Sequence, residues 1–128
     1  MPVSLNHTIV RVKDKRASAE YYADVLGLAP PTPFGPFLVV ELANGISLDF
    51  ADDEGEGPPE HYAFLVSEAE FDQILGRIQR YGTTYYADPG AERANEWNTH
   101  DGGRGLYWAD PDGHWLEIIT RPYGSGAG

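Results

Sequence analysis

The chain has no cysteine. Disulfides and thiolate ligands are excluded, and with them a structural zinc ribbon. Any metal must be held by His, Asp, Glu or water, which favours an exchangeable, catalytic kind of site. Basic residues are scarce. Nine Lys and Arg stand against 20 Asp and Glu, giving a net charge of −11 over 128 residues. Such a chain repels nucleic-acid phosphates and anionic membranes, so neither is expected as a partner. Most of the acidic excess reads as solubility. Long apolar runs are also missing, and no stretch approaches the ~20 apolar residues of a membrane span. The chain runs directly into a patterned strand with no apolar leader, so a cytoplasmic location is expected.

What is present is a repeat. Residues 5–12 are β-branched and strand-like. A helix is predicted over 14–26, with Ala17, Tyr21, Tyr22, Val25 and Leu26 as its apolar positions and Gly27 placed to end it. Pro30, Pro31, Pro33 and Pro36 mark an irregular connection. Strands are expected at 37–42 and 46–50 around the hairpin pair Asn44-Gly45. The order then restarts: a strand at 60–66, a capping box at Ser67 to Glu70, a helix with Phe71, Ile74, Leu75, Ile78 and Tyr81 on one face, and Gly82 to close it. Strands at 83–87, 105–109 and 115–120 follow, the last two separated by Asp110-Pro111-Asp112-Gly113.

Each half is read as β-α-β-β-β. The expected domain is 1–123, with repeats at 3–51 and 60–121, an acidic linker between them and a disordered Gly-rich tail at 124–128.

The halves match in chemistry as well as in order. His7 lies over His61, each in the first strand of its half. Four residues after each hairpin glycine comes an acid: Asp49 after Gly45, and Glu117 after Gly113. Strand alternation puts Val10 and Val12 on one face and His7 on the other; it likewise separates Leu116 and Ile118 from Glu117, and Leu48 and Phe50 from Asp49. The bulky faces suit packing under a helix. The ionisable residues then share the opposite, concave faces. The expected fold is α+β, with paired curved mixed sheets around a metal-containing cavity. A lone strand His is more often packed or surface-exposed, and a lone Glu after a hairpin usually faces solvent. Recurrence at matched positions is what points to His7, His61 and Glu117 as metal ligands, with Asp49 as a fourth position. Imidazole with carboxylate suits one divalent ion, Fe2+ first, with Mn2+, Ni2+, Co2+ or Zn2+ as alternatives.

Four motifs carry a resemblance. They are Leu5-Asn6-His7-Thr8-Ile9-Val10-Arg11-Val12, Tyr21-Tyr22-Ala23-Asp24-Val25-Leu26-Gly27-Leu28, His61-Tyr62-Ala63-Phe64-Leu65-Val66 and Asp110-Pro111-Asp112-Gly113-His114-Trp115-Leu116-Glu117-Ile118. Over about residues 5–121 the chain resembles the vicinal oxygen chelate superfamily, which holds glyoxalase I, extradiol dioxygenases, fosfomycin and bleomycin resistance proteins and methylmalonyl-CoA epimerase. The resemblance implies His7, His61 and Glu117 as ligands. Asp49 departs from the Glu that glyoxalase I carries at the fourth position, and residues 29–37 offer no counterpart to that enzyme's glutathione-binding basic residue.

A metal-dependent enzyme acting on a small oxygen-bearing molecule is therefore expected, an extradiol-type dioxygenase first. A glyoxalase-type isomerase or lyase and a metal-free drug-sequestering protein of the bleomycin-binding kind are the alternatives. Small two-repeat members of this superfamily commonly pair, so a homodimer is expected. Around the ligands, Tyr107 and His100 are candidate catalytic groups, and Trp115, Arg104 and Phe37 candidate substrate contacts. His114, in a hairpin turn, is expected to be solvent-exposed. The patternless stretch 88–103 reads as a lid or binding loop.

Overall fold

The computed structural model describes residues 2–54 and 57–125. The chain divides into two compact units, with the boundary between Pro58 and Pro59. Each unit is one β-α-β-β-β repeat.

The first unit begins with β1 (His7–Val12), followed by helix α1 (Lys15–Leu26). Asp14 caps α1 by accepting from the amides of Arg16 and Ala17, and Gly27 ends it at φ 72°, a left-handed conformation that suits glycine. Strands β2 (Thr32–Phe34), β3 (Phe37–Glu41) and β4 (Ser47–Asp52) complete the sheet in the order β1-β4-β3-β2. β1 and β4 are parallel, and the other pairs are antiparallel. Helix α1 packs on β1, β3 and β4. It buries Tyr22 edge-on to Phe50, with ring centroids 4.8 Å apart.

The proline-rich connection is not wholly irregular. Three of its residues form β2, an edge strand where Pro33 leaves no interior ladder bond unmade. Proline density masked a strand too short to show alternation.

The second unit repeats the plan with β5 (His61–Leu65), α2 (Glu68–Arg80), β6 (Tyr85–Tyr86), β7 (Gly105–Ala109) and β8 (Trp115–Ile119). Its sheet order is β5-β8-β7-β6, with β5 and β8 parallel. The predicted capping box is present: the Glu70 amide donates to the Ser67 hydroxyl, and the Ser67 amide donates to the Glu70 carboxylate. Phe71, Ile74, Ile78, Leu106, Trp108, Leu116 and Ile118 form this unit's core. Burying each such side chain is worth about 1.5–3 kcal/mol.

The repeat symmetry extends to register. Ile9 pairs with Asp49 as Ala63 pairs with Glu117, and His7 pairs with Ser47 as His61 pairs with Trp115. Burial alternates in β1, where Val10 and Val12 are buried and His7 is exposed, but in β8 Leu116, Glu117 and Ile118 are all buried. No helix among the described residues is long and apolar enough to cross a membrane.

Candidate functional site

In the second unit the parallel β5–β8 pairing sets His61 beside Trp115 and Ala63 beside Glu117. Small Ala63 leaves room over the neighbouring strand. The His61 ring reaches across, and its Nε2 lies 3.1 Å from Glu117 Oε1. The other ring nitrogen, Nδ1, is 2.9 Å from the Trp115 carbonyl oxygen. A carbonyl oxygen only accepts, so Nδ1 carries the hydrogen. Nε2 therefore presents a lone pair to a carboxylate unless a cation bridges the two, either a proton or a metal ion. A backbone carbonyl on one imidazole nitrogen with the other turned to a carboxylate is the outer-shell pattern of a metal-ligating His. The Glu117 side chain is 2% exposed and that of His61 45%, so the pair opens outward from the imidazole.

Glu117 is a costly group to bury without compensation. Two phenols stand against it. The Tyr123 hydroxyl donates to Oε1 at 2.8 Å. Tyr107 lies alongside, its phenol pushed above the ordinary range by burial first and the Glu117 charge second. The Tyr123 phenol is also raised, first by its hydrogen bond to Glu117 and then by burial. Both phenols are therefore donors at neutral pH. Tyr107 also stacks on His61 (6.2 Å, 26°) and on Trp115 (6.1 Å, 13°), and Trp115 meets Tyr86 at 5.8 Å. An aromatic row thus borders the carboxylate. The buried indole Nε1 of Trp115 finds no hydrogen-bond partner among the described residues.

The first unit has the same strand geometry but different contacts. His7 is exposed, and its Nδ1 lies 2.8 Å from Asn6 Oδ1, an acceptor, so Nδ1 carries the hydrogen of that contact. Asp49 is buried, and its Oδ1 accepts from the Ser47 hydroxyl at 2.7 Å. Ser47 stands where the second unit has Trp115, and Ile9 where it has Ala63. Phe37 is half-buried and pairs with Phe34. Among the described residues, no three His, Asp or Glu side chains gather as a ready-made metal cluster.

The structure gives several of the expected residues contacts that the sequence did not show. Arg104 is held by helix α2: its guanidinium lies 2.7 Å from Glu68 and 2.9 Å from Asp72, and covers the rings of Phe71 and Trp97 at 4.2 and 5.3 Å. The guanidinium is thus engaged within the fold by two carboxylates and two rings. His114 is buried, not solvent-exposed. Its Nδ1 accepts from the Glu60 amide at 2.9 Å, so a hairpin-turn residue becomes a clip on the entry to β5.

The stretch 88–103 is ordered by its own polar side chains. Asp88 accepts from the amides of Glu92 and Arg93, and Asn98 donates to the Ala87 carbonyl and pairs with Gly105. Trp97 sits edge-on to Phe71 at 6.2 Å. Within this stretch His100 is exposed, and its amide donates to Asn98 Oδ1.

Tyr123 was missed by sequence reasoning. The one signal available was an aromatic residue beside a Gly-rich tail. Gly124 and Ser125, expected as part of that tail, form a turn in which the Gly124 amide donates to Asp101. The remainder of the expected tail lies outside the described residues.

Residues 4–118 match the Glyoxalase/Bleomycin resistance protein/Dioxygenase superfamily. The chain belongs to that superfamily. Two solved structures are similar over nearly its full length. Oxidase ChaP-H1 is 60% identical, with a TM-score of 0.93, covering 96% of this chain and 99% of that one. Oxidase ChaP-H2 is 59% identical, with a TM-score of 0.94, covering 98% and 99%. Glutathione transferase FosA of Serratia marcescens is more distant, at 27% identity over 90% of this chain and 79% of that protein. These relatives place the chain among the enzymes of the vicinal oxygen chelate superfamily.

Proposed function

We propose that the protein is a divalent-metal-dependent oxidase of the vicinal oxygen chelate type, acting on a small oxygen-bearing organic molecule. Ring cleavage of the extradiol kind is the leading reaction class. The observation that carries this reading is the His61–Glu117 contact, in which an imidazole nitrogen and a buried carboxylate oxygen face each other at 3.1 Å. The donor set fits a divalent ion, and two His with one carboxylate suits Fe2+ best. His7, with its Nδ1 already bonded to Asn6, is the proposed third ligand. When bound, the ion supplies Lewis-acid and oxygen chemistry at positions the three ligands leave open.

This chain's own residues would do the rest. The Tyr107 phenol stays protonated and can donate to an oxyanion of the substrate near Glu117, while the Tyr123 hydroxyl is spent on Glu117 itself. Trp115 and Phe37 are the proposed apolar contacts, and His100 is a proposed proton carrier.

The 60% identity to a protein named an oxidase favours oxygen chemistry over isomerisation. Asp49 supports the same order, because one of its oxygens already accepts from Ser47, whereas a glyoxalase-type site needs a full fourth ligand. A fosfomycin-transferase reading finds less support. Arg104 is engaged with α2, Arg93 pairs with Glu96 at 2.9 Å, and Arg121 turns to the Ser125 carbonyl.

A homodimer is proposed as the working form. Edge strand β1 and its approach expose Leu5 and Ile9 beside His7. A second copy would cover that apolar surface.

Oxygen consumption by Fe2+-loaded protein with a panel of catechols tests the reaction class. Uptake that depends on His61 and Glu117 is expected. No uptake with any catechol, together with metal-dependent isomerase activity on hemithioacetals, would move the protein to the glyoxalase type.

A further inference from the structure

We infer that Tyr123 is a positioning residue for the Glu117 carboxylate, delivered by a C-terminal turn that is latched to Asp101. The inference rests on the metal reading above and adds a residue outside the repeat to it.

Glu117 is fixed at its Cα by β8, but its carboxylate hangs on three rotatable bonds. Strand geometry alone does not settle which way its oxygens face. Tyr123 settles it by donating to Oε1 at 2.8 Å, on the same oxygen that faces His61. With one lone pair of Oε1 held by the phenol, the other is directed at the imidazole, and the carboxylate cannot rotate without breaking a charge-assisted bond.

Packing does not hold Tyr123 there, because the residue is 66% exposed. The turn does. The Ser125 amide donates to the Pro122 carbonyl at 3.1 Å, Gly124 takes a positive φ of 81°, and the Gly124 amide donates to Asp101 Oδ1 at 2.9 Å. Asp101 belongs to the segment between β6 and β7, where the Gly102 amide closes a turn on the Thr99 carbonyl. Two segments distant in sequence therefore meet to place one hydroxyl on one carboxylate. An outer-shell hydrogen bond of this kind typically governs metal affinity by about 10–100-fold.

The test uses the full chain and Co2+ as the probe, with affinity measured by chelator competition and amide exchange measured on metal-free protein. Tyr123→Phe should weaken Co2+ binding about 10–100-fold while leaving metal-free unfolding unchanged. Asp101→Ala should weaken it by a smaller factor. In the metal-free protein, Tyr123→Phe and Asp101→Ala should each speed exchange of the Gly124 amide by about fivefold or more, through local opening of the turn.

Unchanged Co2+ affinity in Tyr123→Phe overturns the positioning role. Tighter binding also overturns it, and would make Tyr123 a plug. If the wild type takes up no Co2+, the metal reading falls, and the latch is then decided by the exchange arm. Equal Gly124 exchange in all three proteins overturns the latch itself.

Discussion

His114→Ala separates a structural histidine from the histidines of the site. In the folded protein the His114 ring is 5% exposed, accepts from the Glu60 amide at 2.9 Å and lies edge-on to Tyr62 at 6.1 Å. Truncation leaves a cavity partly filled by relaxation, at about 1–2 kcal/mol. Loss of the hydrogen bond adds about 1 kcal/mol, at the low end because Glu60 is exposed and its amide can be rehydrated. The total is a loss of about 2–3 kcal/mol. At roughly 3–5 °C per kcal/mol for a chain of this size, Tm should fall by about 6–15 °C. The His114 amide, which donates to Asp110 Oδ1 at 2.8 Å, is untouched, so the hairpin itself should persist. Thermal unfolding followed by circular dichroism, beside metal analysis of the same preparation, reads both quantities. A Tm within 2 °C of wild type, or loss of metal without loss of stability, would refute the reasoning.

Arg104→Ala should cost about 1–2 kcal/mol through lost ring stacking and two partly exposed ion pairs, with metal uptake unchanged; Arg104→Lys should recover only part of it, since an ammonium does not stack as a guanidinium does. Asp88 should make the 88–93 turn acid-sensitive. Its burial acts to raise the carboxyl, but the amides of Arg93 and Glu92 outweigh it and hold the group below its ordinary 3.8. The turn's contribution is then complete above that value and is lost as pH falls through the lower folded-state value. The Arg93 amide chemical shift should follow that titration, and a shift flat down to pH 2 would contradict it. Glu117→Gln should abolish metal binding yet leave the metal-free protein folded, because it removes a buried charge while keeping an acceptor for Tyr123; circular dichroism and chelator competition check both halves.

The repeat made most of the fold legible. His7 over His61, Gly45 over Gly113 and Asp49 over Glu117 aligned the two halves, and the register reproduces that alignment. Period-2 alternation in β1 separated buried Val10 and Val12 from exposed His7, but in β8 burial does not alternate, because Glu117 is as buried as Leu116 and Ile118. What escaped depended on side-chain partners rather than on patterns. β2 was hidden by prolines that an edge strand tolerates. The loop 88–103 has no hydrophobic period because Asp88 and Asn98, not apolar contacts, order it.

Arg104 looked like a free cation because helical spacing cannot reveal that Glu68, Asp72, Phe71 and Trp97 converge on it. Tyr123 escaped for the same reason. Its contact with Glu117 is made by a turn outside the repeat, and nothing in the periodicity marks a residue that acts from outside it. Equivalent sequence positions also concealed unequal chemistry: Ser47 and Ile9 give Asp49 a different neighbourhood from the one Trp115 and Ala63 give Glu117.

The central claim is that His61 and Glu117 form part of a metal site. Metal content of protein purified without chelator, then titrated with Fe2+, tests it most directly. The account predicts roughly one ion per subunit in the wild type and in His114→Ala, and none in His61→Ala or Glu117→Gln. Wild-type protein that takes up no ion, or His61→Ala that binds as tightly as wild type, would contradict it.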